Sequence, residues 1–137
     1  MRIYCSGVYD LCHVGHMKFF EYVSILYPNS TLIVGVHSDN DTELYKRKPI
    51  INEKIRYETL KYCKYVDIIM ENAPLETSKE FIINNNIDMV AISEEYINHE
   101  KLDFFYKGAF ELNKYVYIPR TNYISTTNII SLCKDNK

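Results

Sequence analysis

The amino-acid sequence predicts an α/β fold, a doubly wound, five-stranded parallel sheet with helices on both faces. Two observations lead there. Five short runs rich in β-branched and aromatic residues alternate with longer stretches whose apolar residues recur at helical spacing. Strand–helix alternation of this kind belongs to parallel sheets buried on both sides. No linker, repeat or composition break divides the 137 residues, a length that fits one domain over 1–137.

In chain order, RIYC (2–5) is the first strand and HMKFFEYVSIL (16–26) the first helix. TLIVGV (31–36) is the second strand, followed by a helix over EKIRYETLKYC (53–63). VDIIM (66–70) leads to a helix over SKEFIINNN (78–86), and IDMVAI (87–92) is the fourth strand. KLDFFYKGAFEL (101–112) is predicted as one helix despite Gly108, a weak helix former. KYVYI (114–118) completes the sheet, and STTNIISLCK (125–134) opens on good N-cap residues and closes the fold as a helix.

A composition of 47% hydrophobic and 25% charged residues is that of an ordinary globular chain rather than a disordered one. The formal net charge of -2 gives no reason to expect a nucleic-acid partner, so any anionic ligand must be held by a few local basic groups. No stretch is long and apolar enough to span a bilayer, and MRIYCSGVYD lacks a signal-peptide pattern. Cys5, Cys12, Cys63 and Cys133 show neither metal-ligand nor paired spacing, as expected of buried or partly buried thiols in a reducing, cytoplasmic compartment. No resident metal is expected.

Ligands of doubly wound sheets bind beyond the carboxyl ends of the strands. That rule points to the first strand–helix loop, Ser6-Gly7-Val8-Tyr9-Asp10-Leu11-Cys12-His13-Val14-Gly15-His16. Gly15 admits close backbone approach, and a helix starting there offers free N–H groups to an anion. His13 and His16 stand three apart, close enough to share a face, and two imidazoles at a helix N-terminus suit the charge that develops on transferring phosphates.

GVYDLCHVGH resembles the signature of the nucleotidyltransferases that carry an HxGH motif. Arg120-Thr121-Asn122-Tyr123-Ile124-Ser125-Thr126-Thr127 resembles the RTxGIS(T/S)(T/S) signature of the cytidylyltransferases that make CDP-choline, CDP-ethanolamine and CDP-glycerol, with Tyr123 where that pattern usually has glycine. The resemblance runs over residues 2–133 and is strongest to the eukaryotic phosphocholine enzymes. It implies a Rossmann-like nucleotidyltransferase fold and transfer of CMP from CTP to a phosphorylated alcohol, with magnesium carried by CTP. It places Gly7, Val8, Tyr9, Gly15, Arg120, Ser125, Thr126 and Thr127 at the nucleotide, and gives His13, His16, Lys46 and Arg120 the task of stabilising the reacting phosphates. Lys46 falls where the family places a lysine reaching the triphosphate and the second substrate, whereas Arg47 and Lys48 read as solvated loop charge. Asp10 is expected to order the loop or the substrate rather than act as a base.

The stretch from Ile55-Arg56-Tyr57 to Tyr65-Val66-Asp67 resembles the region through which family members dimerise, so a homodimer is expected, although Tyr62, Tyr65 and Val66 suit a monomer core equally. The phosphocholine enzymes carry a membrane-sensing helix beyond the catalytic domain, and no such membrane-binding segment is expected in these residues. Around the alcohol the residues depart from the phosphocholine pattern: Leu75 replaces a tryptophan, Ser6 an aspartate, and Ser93-Glu94-Glu95-Tyr96 a His-Asp-Asp, closer to the Gly-Asp-Asp-Trp of the glycerol-phosphate enzymes. With Glu94, Glu95 and Tyr96 joining Asp10 and Lys46 around it, an amino-alcohol phosphate is the expected substrate. Glycerol 3-phosphate is the alternative, a nucleotide-binding module without turnover is the alternative of another class, and an adenylyltransferase is disfavoured by RTNYISTT.

Overall fold

The computed structural model describes residues 1–136. Strands β1 (Arg2–Gly7), β2 (Thr31–Val36), β3 (Ile68–Met70), β4 (Met89–Ser93) and β5 (Tyr115–Ile118) form one parallel sheet in the order β3-β2-β1-β4-β5. The chain builds outward from β1 to β3, then crosses back to β4 on the other side of β1. The carboxyl ends of β1 and β4 therefore face the crevice where winding reverses.

Both faces of the sheet are apolar because alternate residues of each strand serve different layers. From β1, Ile3 and Cys5 pack with Phe20 and Val23 of α1 (Val14–Leu26) and with Tyr57 and Leu60 of α3 (Glu53–Leu60). Tyr4 faces the opposite layer with Ile33, Val90 and Ile92, against Ile82 of α4 (Lys79–Asn84), Phe105 of α5 (Leu102–Phe105) and Ala109 of α6 (Lys107–Glu111). A short α2 (Asp39–Glu43) follows β2, and α7 (Thr126–Asp135) follows β5.

Three elements differ from expectation. Segment 101–112 is two short helices meeting at Tyr106, because Gly108 lies against the backbone of Ser78 and Lys79 at the start of α4, where a Cβ has no room. The third strand begins at Ile68 rather than Val66, since Val66 closes a turn onto the Cys63 carbonyl and the Asp67 carboxylate accepts from Leu32 N–H at 2.8 Å. The helix α2, capped by Ser38, had no periodic signal over its five residues. Cys133 is exposed, unlike the other three cysteines.

Beneath the crevice lies a charge in the core. Arg56 is 1% exposed and donates to the carbonyls of Val8 (2.7 Å), His37 (2.9 Å) and Ile51 (2.9 Å), and to Asp39 Oδ1 at 2.7 Å. A desolvated guanidinium is tolerated only when its donors are met, and here three loops meet them. The stretch expected to serve dimerisation thus turns Arg56 and Tyr57 inward, while Tyr62 is 85% exposed. Arg56→Met should cost roughly 3–5 kcal/mol, because three carbonyls and the Asp39 carboxylate lose their partner together. Urea unfolding measures this, and a loss below about 1 kcal/mol would mean that water or relaxation replaces the guanidinium.

Candidate active site

The loop after β1 is held in an unusual path. Tyr9 and Leu11 both adopt left-handed backbone, at φ 56° and 49°, which is uncommon for bulky side chains. Between them Asp10 turns inward, 4% exposed, and accepts from Ile50 N–H (2.8 Å), Ile51 N–H (2.9 Å) and Arg47 Nη1 (3.0 Å). Its own carbonyl accepts from the Thr126 hydroxyl at 2.9 Å. Residue 10 therefore joins the β1–α1 loop, the basic loop and the start of α7. Burial alone would raise the Asp10 pKa, but the two amides and Arg47 outweigh it and the carboxyl is lowered from its ordinary value. Arg47, expected as solvated charge, is thus half of a structural ion pair.

Three residues beyond Asp10, the two histidines cap α1 reciprocally. His13, the N-cap, accepts at Nδ1 from Gly15 N–H (3.0 Å), and His16 Nδ1 accepts from His13 N–H (3.1 Å). A capping box ordinarily uses Ser or Thr with Glu. Gly15 makes the arrangement possible, since a Cβ there would sit 2.8 Å from the His13 ring. Amide N–H groups only donate, so both Nδ1 atoms are acceptors and each neutral ring carries its proton on Nε2. Burial lowers the pKa of His13, and burial with the neighbouring His13 and Lys46 lowers that of His16 to about 3. The result is a pair of neutral Nε2–H donors, ring centroids 4.0 Å apart, on the wall of a cleft of about 660 Å³.

The cleft gathers most of the residues expected from the sequence. Gly7, Val8, Tyr9, Asp10, His13, Gly15 and His16 line one wall; Lys46, Glu95 and Tyr96 line another; Arg120, Ser125, Thr126 and Thr127 close the third. Ser125 caps α7 by accepting from Asn128 N–H at 3.0 Å. Arg120 Nε lies 3.7 Å from Glu95 Oε2, with both side chains nearly half exposed. Glu94 is placed differently from its neighbour. The tight turn over Glu94–Tyr96 leaves Glu94 outside the cleft lining, where it accepts from Arg120 N–H at 3.1 Å and so supports Arg120. Tyr123 is 62% exposed beside Lys18, outside the lining, and its backbone is not left-handed.

Sequence reading missed the residues around Tyr96. Tyr106 lines the cleft floor, its ring 6.5 Å from that of Tyr96. Tyr45 stands beside them, its hydroxyl 2.8 Å from His37 Nδ1. Tyr45, Tyr96 and Tyr106 come from three segments far apart in the chain, so no local pattern announces the group. Among the described residues no group of three or more His, Cys, Asp or Glu is placed to hold a metal ion, and no helix is long and apolar enough to cross a membrane.

The sheet order, the crevice at the switch point and the paired imidazoles at a helix N-terminus are those of a Rossmann-like nucleotidyltransferase fold. The chain matches the family described as cytidylyltransferase-like over residues 4–132, and it belongs to that family. It is 42% identical over 132 residues to the choline-phosphate cytidylyltransferase of Saccharomyces cerevisiae, an alignment that covers 96% of this chain and 31% of that protein. Choline-phosphate cytidylyltransferase A of Homo sapiens is 37% identical, with 96% and 36% covered. The ethanolamine-phosphate cytidylyltransferase of Dictyostelium discoideum is 31% identical, with 95% and 36% covered. The chain spans about a third of the length of these relatives. Among solved structures, a lipopolysaccharide core biosynthesis protein from Thermoplasma volcanium shares the fold at a TM-score of 0.68 and 20% identity, covering 90% of this chain and 98% of that one.

The desolvated imidazoles of half-buried His16 and buried His37 set a pH dependence. His16 is lowered from 6.5 to about 3 and His37, chiefly by burial with Lys46 and Arg56 nearby, to about 4. Below 6.5 the unfolded chain binds protons that the folded chain refuses, so stability falls with pH. The loss should be roughly 2 kcal/mol per imidazole between pH 7 and pH 5. Asp10, with its lowered pKa, contributes stability above about pH 4 that disappears as the pH falls through its folded value. Denaturant unfolding at several pH values tests this; equal stability at pH 7 and pH 5 would contradict the neutral imidazoles.

Proposed function

We propose that this chain transfers CMP from CTP to a phosphorylated amino alcohol, giving a CDP-alcohol and pyrophosphate. The observation that carries the reading is the reciprocal histidine cap, which presents two neutral Nε2–H donors opposite Arg120 and the N-terminus of α7. An oxygen of the phosphoalcohol attacks the α-phosphorus in line, a new P–O bond forms, and the bond to the bridging oxygen of pyrophosphate breaks. The nucleophile is already ionised and needs no base, which agrees with Asp10 being committed to amides and Arg47. The protein's part is to position the phosphates and to donate to oxygens that gain charge. Neutral imidazoles can do so without giving up a proton. Arg120, Lys46 and the free amides of α7 receive the triphosphate, and magnesium enters as part of the MgCTP substrate.

An amino alcohol is favoured over glycerol by the rings of Tyr96 and Tyr106, which line the cleft with centroids 6.5 Å apart and are suited to an ammonium group. The choline- and ethanolamine-phosphate names of the relatives support the same class. Pairing of two copies belongs to the proposal: Ile55 on α3 (51% exposed) and Tyr62 in the turn beyond it (85% exposed) are left uncovered in the stretch that resembles the family's dimer region.

Two measurements test the reading. CTP at ~100 times its dissociation constant should stabilise the fold by about 2.7 kcal/mol in thermal unfolding, and ATP at the same concentration far less; equal effects would remove the cytidine preference. His13→Ala and His16→Ala should each cost about 0.5–2 kcal/mol of stability through the lost cap, yet lower kcat for pyrophosphate release by roughly 10²–10³. Near-normal turnover in both variants would leave capping as the whole role of the histidines.

A further inference from the structure

Among the described residues two acids line the cleft, Asp10 and Glu95. Asp10 is buried and taken up by two amides and Arg47, whereas the Glu95 side chain is 42% exposed. Its partner is Arg120, whose Nε stands 3.7 Å from Glu95 Oε2, close enough for ionic attraction and too far for a hydrogen bond. The Glu95 charge also reaches His13: burial lowers the pKa of that imidazole, and the carboxylate opposes the shift. Glu95 therefore acts on two of the groups assigned to phosphate. The residue after it, Tyr96, is one of the two rings assigned to the ammonium.

Arg120 does not need Glu95 to stay in place. Its N–H donates to Glu94 Oε1 at 3.1 Å, so the backbone is held while the side chain, 47% exposed, can turn. A triphosphate offers the guanidinium higher charge and two-point geometry, and an exposed pair held at 3.7 Å resists little. Once Arg120 turns to the phosphates, the Glu95 carboxylate is left without its cation, beside Tyr96. A phosphorylated amino alcohol carries its ammonium only a few bonds from its phosphate, so a carboxylate close to the phosphate-binding groups is within its reach. We propose that Arg120 masks Glu95 until CTP binds, and that the triphosphate, by drawing Arg120 away, releases Glu95 to the ammonium of the second substrate. This rests on the transferase reading above and deepens it: Glu95 selects a cationic headgroup and couples the two substrates. The coupling is reciprocal, because whichever ligand arrives first has already separated the pair for the other. An uncharged alcohol phosphate gains nothing from the freed carboxylate.

Calorimetric titration measures the coupling without turnover, with magnesium and the α,β-methylene analogue of CTP, whose P–C–P link blocks transfer. The dissociation constants of phosphoethanolamine and phosphocholine should fall about fivefold when the analogue is bound, and that of glycerol 3-phosphate should not. In Glu95→Gln the gain should disappear, while the analogue itself binds more tightly because Arg120 is no longer held. Attraction between ammonium and triphosphate alone would survive in that variant, so an equal gain in Glu95→Gln overturns the proposal. An equal gain for glycerol 3-phosphate in the unaltered protein overturns it as well. Uncoupled binding of the analogue and the amino-alcohol phosphates refutes the exchange and leaves the transferase reading standing. A protein that binds neither the analogue nor any phosphoalcohol refutes both.

Discussion

The cleft depends on a cation buried under it. Arg56 holds the carbonyls of Val8, His37 and Ile51, one from each of the chain segments that meet at the carboxyl edge of the sheet. With those carbonyls fixed, Asp10 can be turned inward between two left-handed residues to gather the amides of Ile50 and Ile51. The strain at Tyr9 and Leu11 persists because charge-assisted hydrogen bonds on both sides over-determine the loop. The histidine cap follows directly from that loop, three residues further on.

Rigidity at this edge contrasts with the basic groups around it. The histidines and Asp10 are committed to backbone partners, whereas Lys46, Arg120 and Glu95 are partly solvated and hold one another or nearby rings. The arrangement separates two tasks. In the proposed transfer, neutral donors fixed by the backbone would face the phosphate charge as it develops and need no reorganisation to do so. Exposed charges such as the Arg120–Glu95 pair would, in the proposed transfer, exchange an internal partner for a substrate group at low cost, because exposed ion pairs are weak.

The sheet was legible because its strands are buried on both faces and so appear as apolar runs, and the histidine loop because its residue types are unusual at a strand–helix junction. What escaped were features set by distance in space. Arg56 follows the buried periodicity of Tyr57 and Leu60 on α3, and a charge at a core-facing position was the available signal. Nothing local distinguishes Glu94 from Glu95, yet one turn of 3-10 helix directs one to Arg120 N–H and the other to the cleft. Arg47 read as surface charge because its partner, Asp10, lies 37 residues away.

The central claim is that backbone geometry, not titration, makes His13 and His16 donors toward the cleft. Nitrogen-15 NMR of the two imidazoles tests it most directly, since the chemical shifts separate protonated from acceptor ring nitrogens. The account predicts an unprotonated Nδ1 and a protonated Nε2 on both rings at neutral pH, with His16 still neutral near pH 5, as follows from a pKa of about 3. A proton on Nδ1 of either ring, or an imidazolium at neutral pH, would contradict it.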